Sequence, residues 1–132
     1  MKKHISQMSP SEIDLLEFRR KYLLCIRKPF TYSKHFFDIA KKRGVKPKDA
    51  EETVIQGNII EFHDRIIDGK VIDKRVLLRS NKTYKENYNL CVVYSLWYKR
   101  IVTAYYNHIT NNHDKTDFSM YDGKYCITLF KK

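Results

Sequence analysis

The side chains whose types fit one chemistry are a histidine beside a lysine (Lys34-His35), the arginines Arg43, Arg75 and Arg79, and the run Thr103-Ala104-Tyr105. Cleaving RNA without a metal takes a base for the 2′-hydroxyl proton and an acid for the leaving 5′-oxygen. It also takes cations or donors around the pentavalent phosphorane. A histidine titrates near neutral pH, so His35 suits either proton-transfer role. The plain alternative for His35 is a half-buried helical histidine bonded to backbone. Arg79 closes a predicted strand at the mouth of a loop, where its planar fork would hold a phosphate in two contacts. Arg43 ends a predicted helix, so it could instead complement the helix C-terminus. Arg75 precedes Arg79 by four residues and shares its sheet face. Thr103 and Tyr105 share a face by period two; one would donate to a phosphate oxygen, the other stack on a base or act as acid. Strand preference alone would also explain a Thr and a Tyr there.

Other histidines compete for the role. His63 lies in a predicted strand between Phe62 and Asp64, and His108 and His113 flank a polar loop with Asp114. A His-x4-His pair in a loop, with no partner cysteine or second carboxylate pattern, makes a poor metal set, so no metal and no cofactor are expected. Cys25, Cys91 and Cys126 are an odd, widely spaced count among apolar neighbours, which predicts buried free thiols rather than disulfides or zinc. No nucleophile elbow or glycine-rich phosphate loop is present, and the four glycines read as turns and caps.

The elements that must position these groups can be read from caps and periodicity. Ser9-Pro10-Ser11-Glu12 predicts a helix start, with Ser9 capping, Pro10 at the first position and a helix to about Arg27, before Pro29. A second helix is expected over Ser33–Arg43 with Gly44 as its stop, placing His35 at the edge of the buried face and leaving Lys34 and Lys41 to solvent. A third runs from Pro47 to Gln56. From Asn58 the period changes to two: NIIEFHDRII, Asp68-Gly69 and KVIDKRVLLRS predict a hairpin with a type I′ turn. Asn81–Tyr88 reads as a loop, Asn89–Trp97 and Arg100–Asn107 as a second hairpin, and the Asp-Gly in FSMYDGKYCITLF as a last short one. The fold class is α+β, N-terminal helices packed on a meandering antiparallel sheet.

The 132 residues make one domain, and 26 Lys+Arg against 15 Asp+Glu leave a net charge of +11. That field attracts polyanions, nucleic acid first and acidic protein surfaces second. Ten tyrosines offer stacking surfaces for bases, although an A/T-rich genome would raise both numbers unaided. No apolar run approaches the ~20 residues of a membrane span. MKKHISQMSPSE begins basic with no apolar stretch behind it, which does not fit a signal peptide, so a cytoplasmic protein is expected.

Tyr32-Ser33-Lys34-His35, Lys42-Arg43-Gly44-Val45, a short helix ending at Gly57, Arg75-Val76-Leu77-Leu78-Arg79 and Ile101-Val102-Thr103-Ala104-Tyr105 together resemble a small domain of phages, toxin operons and polymorphic toxins. That domain is grouped with the barnase–EndoU–colicin–RelE-like nucleases. The resemblance covers roughly residues 31–107, a nuclease-like core. Outside it lie an added helix over 9–28 and an extension over 108–132. The resemblance implies helices packed on a four-stranded antiparallel sheet with RNA on the exposed face. It also implies metal-free cleavage, with His35, Arg43, Arg79, Thr103 and Tyr105 matching the family's positions. From their own placement, the solvent-facing Lys34 and Lys41 and the Arg75 that shares Arg79's face are expected to bind RNA along with Arg43. The expected function is a metal-independent RNA endonuclease, toxin-like or serving phage host takeover or anti-defence, held in check by an antitoxin or immunity protein. The alternative is a non-catalytic basic protein that binds RNA or an acidic host or defence protein through the added helix and tail. A DNA-binding regulator fits less well, because Pro47–Gln56 is too acidic for a recognition helix.

Overall fold

The chain begins by bracing its own sheet. In the computed structural model, which describes residues 2–111 and 121–129, β1 (Lys2–His4) pairs antiparallel with a later strand before a 3₁₀ turn and α1 (Pro10–Cys25). Ser9 caps α1 as its sequence predicts: its hydroxyl accepts the Glu12 N–H at 3.2 Å, and Glu12 Oε1 accepts the Ser9 N–H at 3.0 Å. Then come β2 (Thr31–Tyr32), α2 (Phe36–Arg43), α3 (Pro47–Gln56), β3 (Asn58–Ile67), β4 (Lys70–Tyr84), β5 (Tyr88–Ser95) and β6 (Arg100–His108). The fold is α+β.

Strands lie in the order β1-β3-β4-β5-β6-β2. The four long strands meander antiparallel as expected. The short β1 and β2 extend both edges, and β2 runs parallel to β6, so the sheet is mixed rather than purely antiparallel. Strands of two or three residues carry no periodic signal, which is why the sequence hides them. Helix residues Leu16, Leu23, Phe36, Ala40, Ala50 and Val54 share one core with the alternate strand residues Val76, Leu78, Leu90, Val92 and Tyr94. All three helices therefore cover one sheet face. α1 is part of this core: Leu16 is fully buried, and Arg20 donates to the carbonyls of Val54 and Gly57 at 3.3 and 2.5 Å.

Several expectations need correction. α2 starts at Phe36 rather than Ser33, because Ser33 is tied to β6 through its N–H to Ile101 O (3.0 Å) and its hydroxyl to Val102 O (2.6 Å). The predicted loop Asn81–Tyr88 is mostly strand: β4 continues to Tyr84 past an irregularity, and left-handed Lys85 and Glu86 turn the chain into β5. Asn89 Nδ2 holds that irregularity by reaching Ser80 O and Lys82 O at 3.3 and 3.2 Å. The first arm of the last predicted hairpin lies outside the described residues. Within 121–129 a turn follows Asp122, and Tyr125, Ile127 and Leu129 turn inward against the core. This inward alternation leaves Cys126 exposed, and Cys25 is exposed at the end of α1, so only Cys91 is a buried thiol. The type I′ turn at Asp68-Gly69 forms as predicted, with φ of 50° and 76°.

Two bulges decide what the helix-free face displays. Pairing skips one residue between Ile59 and Glu61 on β3, and one between Ile101 and Thr103 on β6. Each reverses the alternation. Ile59 and Phe62 both enter the core, and Glu61 and His63 turn to the opposite face. Likewise Ile101 and Ala104 enter the core, and Thr103 and Tyr105 turn away from it.

Candidate functional site on the helix-free face

Cross-strand register arranges the helix-free face in three rows. Lys2, His63, Arg75 and Ser95 form one; His4, Glu61, Leu77, Val93 and Thr103 the next; Arg79, Cys91 and Tyr105 the third. Neighbouring strands lie ~4.8 Å apart, so side chains within a row meet, whereas successive rows are roughly 7 Å apart along each strand.

Glu61 sits near the middle at 7% exposure. Its Oε1 lies 3.5 Å from the Tyr121 hydroxyl, Lys2 Nζ is 3.8 Å from Oε2, and Oε2 has no hydrogen-bond partner. Burial raises its pKa, and Lys2, His4 and Tyr121 offset only part of that. His63, two residues on, moves the other way: burial first, then the positive charges of Lys2 and Arg75, hold it down to about 4, with Asp64 opposing. Tyr105 is pushed up by burial and by the neighbouring Cys91 and Glu61 against the pull of Arg79. Burial lifts Tyr121 to about 12, aided by Glu61, and lifts Cys91 to about 11. A Cys91 thiol at that value is a poor nucleophile at neutral pH.

The residues singled out from sequence divide into three groups. Arg75, Arg79, Thr103 and Tyr105 do share this face, as alternation predicts. Both Arg79 and Arg43 are occupied. Arg79, 9% exposed, donates through Nε to Asn89 Oδ1 (2.9 Å), Nη1 to Asn111 O (2.7 Å) and Nη2 to His108 O (2.9 Å). It lies inside β4 rather than at a loop mouth, and its fork binds the far end of β6. Arg43 reaches round the β6 edge to Thr103 Oγ1 (3.2 Å) and Ala104 O (2.9 Å). Arg75 pairs with Asp73 at 2.9 Å. His35 stands apart. It is exposed at the cap of α2, and that eight-residue helix puts it on the order of 12 Å from Arg43. Lys34 and Lys41 are exposed beside it on the same edge.

Sequence reasoning ranked His63 as a rival and passed over Lys2, His4, Glu61 and Tyr121. Only pairing and the β3 bulge gather these, and NIIEFHDRII read by strict alternation groups Glu61 with Ile59. Among the described residues no three His, Cys, Asp or Glu converge in a metal-holding group; His113 and Asp114 lie outside them. No helix among the described residues is long and apolar enough to cross a membrane. The chain matches no family model, and no curated protein or solved structure matches it.

Proposed function

We propose that this chain is a metal-independent RNA endonuclease of the RelE/barnase type, working on the helix-free face of its sheet and leaving a cyclic phosphate end. The observation that carries this reading is the Lys2–Glu61–His63–Arg75 group. Two titratable side chains, each shifted by burial toward its neutral form, and two cations lie within two strand spacings, on a protein of net charge +11. Tyr105 and Thr103, on the same face, suit base stacking and a phosphate contact. Helices on one side and RNA on the other is the arrangement the sequence resemblance implies. On this reading His35 lies outside the reacting centre, at an RNA-facing edge with Lys34, Lys41 and Arg43. A toxin-like or host-takeover role in the cytoplasm, with an antitoxin or immunity protein as partner, belongs to the same proposal.

Incubation with total RNA in EDTA tests it, comparing wild type, His35→Ala and Arg75→Ala. Cleavage by wild type and His35→Ala, with a strong loss in Arg75→Ala, is the expected pattern. Absence of cleavage by wild type would refute the enzyme reading. One observation favours the second reading, an RNA-binding module without catalysis: Arg79 and Arg43 are engaged with the protein's own carbonyls. Tight, salt-sensitive RNA binding without cleavage would establish that reading instead.

A further inference from the structure

Resting on the proposed reading for its ligand, RNA, we propose a second binding surface, beyond the edge of the helix-free face. The C-terminal half of α1 and the β5–β6 turn together hold single-stranded RNA that flanks the reacting phosphate. Bases stack on Tyr22 and Tyr98, and Lys21, Arg27, Lys28 and Arg100 meet the phosphates.

Charge is segregated along the chain. No Asp or Glu occurs between Glu17 and Asp38, nor between Glu86 and Asp114, and both stretches carry lysine and arginine. The fold joins them. The Tyr94 hydroxyl donates to Pro29 O at 2.9 Å, the Thr31 N–H to Lys99 O at 2.9 Å, and Arg19 Nε to Leu96 O at 3.3 Å. The end of α1 and the β5–β6 turn are therefore one surface, positive from both sides. Asp14 and Glu17 lie at least one helical turn before Tyr22, and Glu17 is paired with Arg20 at 2.6 Å.

Aromatic rings stand exposed on this surface: Phe18 at 72%, Tyr22 at 53% and Tyr98 at 41%. α1 is apolar on both sides, with Leu16 and Leu23 buried in the core and Phe18 and Tyr22 facing out. A helix apolar all round has a second side to cover. Both tyrosines carry a guanidinium over the ring, Arg19 at 5.4 Å from the Tyr22 centroid and Arg100 at 5.2 Å from that of Tyr98. A ring paired with a cation matches a nucleotide, which offers a π-face and a phosphate together. A purely apolar partner fits worse, because covering these rings would strip water from Lys21, Arg27 and Lys28 without compensation.

This surface continues the candidate site. Ser95, in one row with His63 and Arg75, accepts the Tyr98 N–H at 3.0 Å. A strand leaving Arg75 across the end of β5 meets Tyr98 next, and Arg19 leads on from Leu96 to Tyr22. A duplex keeps its bases stacked on one another, so only an unpaired strand can lay them on these rings. The substrate class is thus single-stranded RNA.

Fluorescence anisotropy at roughly 150 mM salt, where phosphate attraction alone is weakened, tests the surface. The probes are a labelled 2′-O-methyl oligouridine of about 12 nucleotides, which has no 2′-hydroxyl to attack, and a 2′-O-methyl duplex of equal length. Tyr22→Leu and Tyr98→Leu should each weaken single-strand binding roughly 5–150-fold and leave duplex binding within about twofold. Tyr22→Phe and Tyr98→Phe should bind as wild type does. Thermal melts confirm folding. Photocrosslinking of wild type to a 4-thiouridine oligomer reads the same surface without substitution, and label should fall on peptides carrying Tyr22 or Tyr98. Unchanged single-strand affinity in both leucine variants, with label elsewhere, overturns the surface and leaves the exposed rings to an acidic protein partner. Equal weakening on single strand and duplex also overturns it, since charge rather than stacking would then have been lost. Neither result touches the ribonuclease reading, which stands or falls on cleavage in EDTA. The predicted losses beside a wild type that cleaves nothing would keep the surface and refute the enzyme reading alone.

Discussion

At the scale of single residues, most of the charge predicted to meet RNA is already holding the protein together. Arg79 donates to two backbone carbonyls and one side-chain oxygen, and it is 9% exposed. Replacing it leaves buried acceptors unpaired even if the charge is kept, because an ammonium lacks the fork. Arg79→Lys should therefore lower stability by ~2–3 kcal/mol in urea unfolding. An unchanged unfolding midpoint would count against the structural role and return Arg79 to the phosphate-binding candidates. Gly57 is fixed by space rather than by dihedral angle. A Cβ there would sit 2.5 Å from Thr53 O and 2.9 Å from Arg79 O, between the end of α3 and β4. Gly57→Ala should cost ~1–3 kcal/mol by the same measurement, as overpacking does elsewhere.

At the scale of elements, the C-terminal segment is secured by charge. Lys3, 5% exposed, donates to Glu12 at 2.8 Å and to Tyr125 O at 2.7 Å, and Glu12 Oε2 also accepts the Ile127 N–H at 2.9 Å. Lys74 donates to Thr128 O at 2.5 Å, and the Tyr125 hydroxyl donates to Asp64. Burial alone would raise the Glu12 carboxyl, but Lys3 and the N–H groups of Ile127 and Ser9 outweigh it and hold it down to about 2. The sign follows from a folded value below the ordinary 4.5. The contribution is complete above that pH and disappears as pH falls toward about 2. Thermal melts should show an acid limb in this window, worth ~2–3 kcal/mol, and Glu12→Gln should flatten it while lowering stability at neutral pH. A limb that survives unchanged in Glu12→Gln would assign it to other carboxylates.

For the whole molecule, the net charge of +11 sets how any polyanion is met. Single-stranded RNA held through five phosphate contacts should lose about 100-fold in affinity between roughly 50 and 200 mM salt, since each contact contributes a slope of about −0.7. A flat salt profile in a filter-binding titration would redirect attention to an apolar protein partner. Exposed apolar side chains do exist for such a contact. Phe18 and Tyr22 on α1 are 72% and 53% exposed, and Ile66, Ile67, Val71 and Ile72 crowd the β3–β4 hairpin tip.

What the sequence determined by itself was whatever depends on neighbours along the chain. The Ser9 capping box, Pro47 opening α3, the left-handed Gly44 and the Asp68-Gly69 turn are each fixed within a few residues, and all appear as read. Alternation likewise put Thr103 with Tyr105 and Arg75 with Arg79, because no bulge interrupts either pair. Only the tertiary structure decided which further side chains join them. A skipped residue at Ile60 reverses the face of everything after it on β3, and nothing local in NIIEFHDRII records that. The edge strands Lys2–His4 and Thr31–Tyr32 are too short for a period and exist because the sheet offers them partners. Pairing in space therefore brings Lys2 beside Glu61 and His63, and it leaves His35, foremost in the sequence, at the cap of a helix on the far edge.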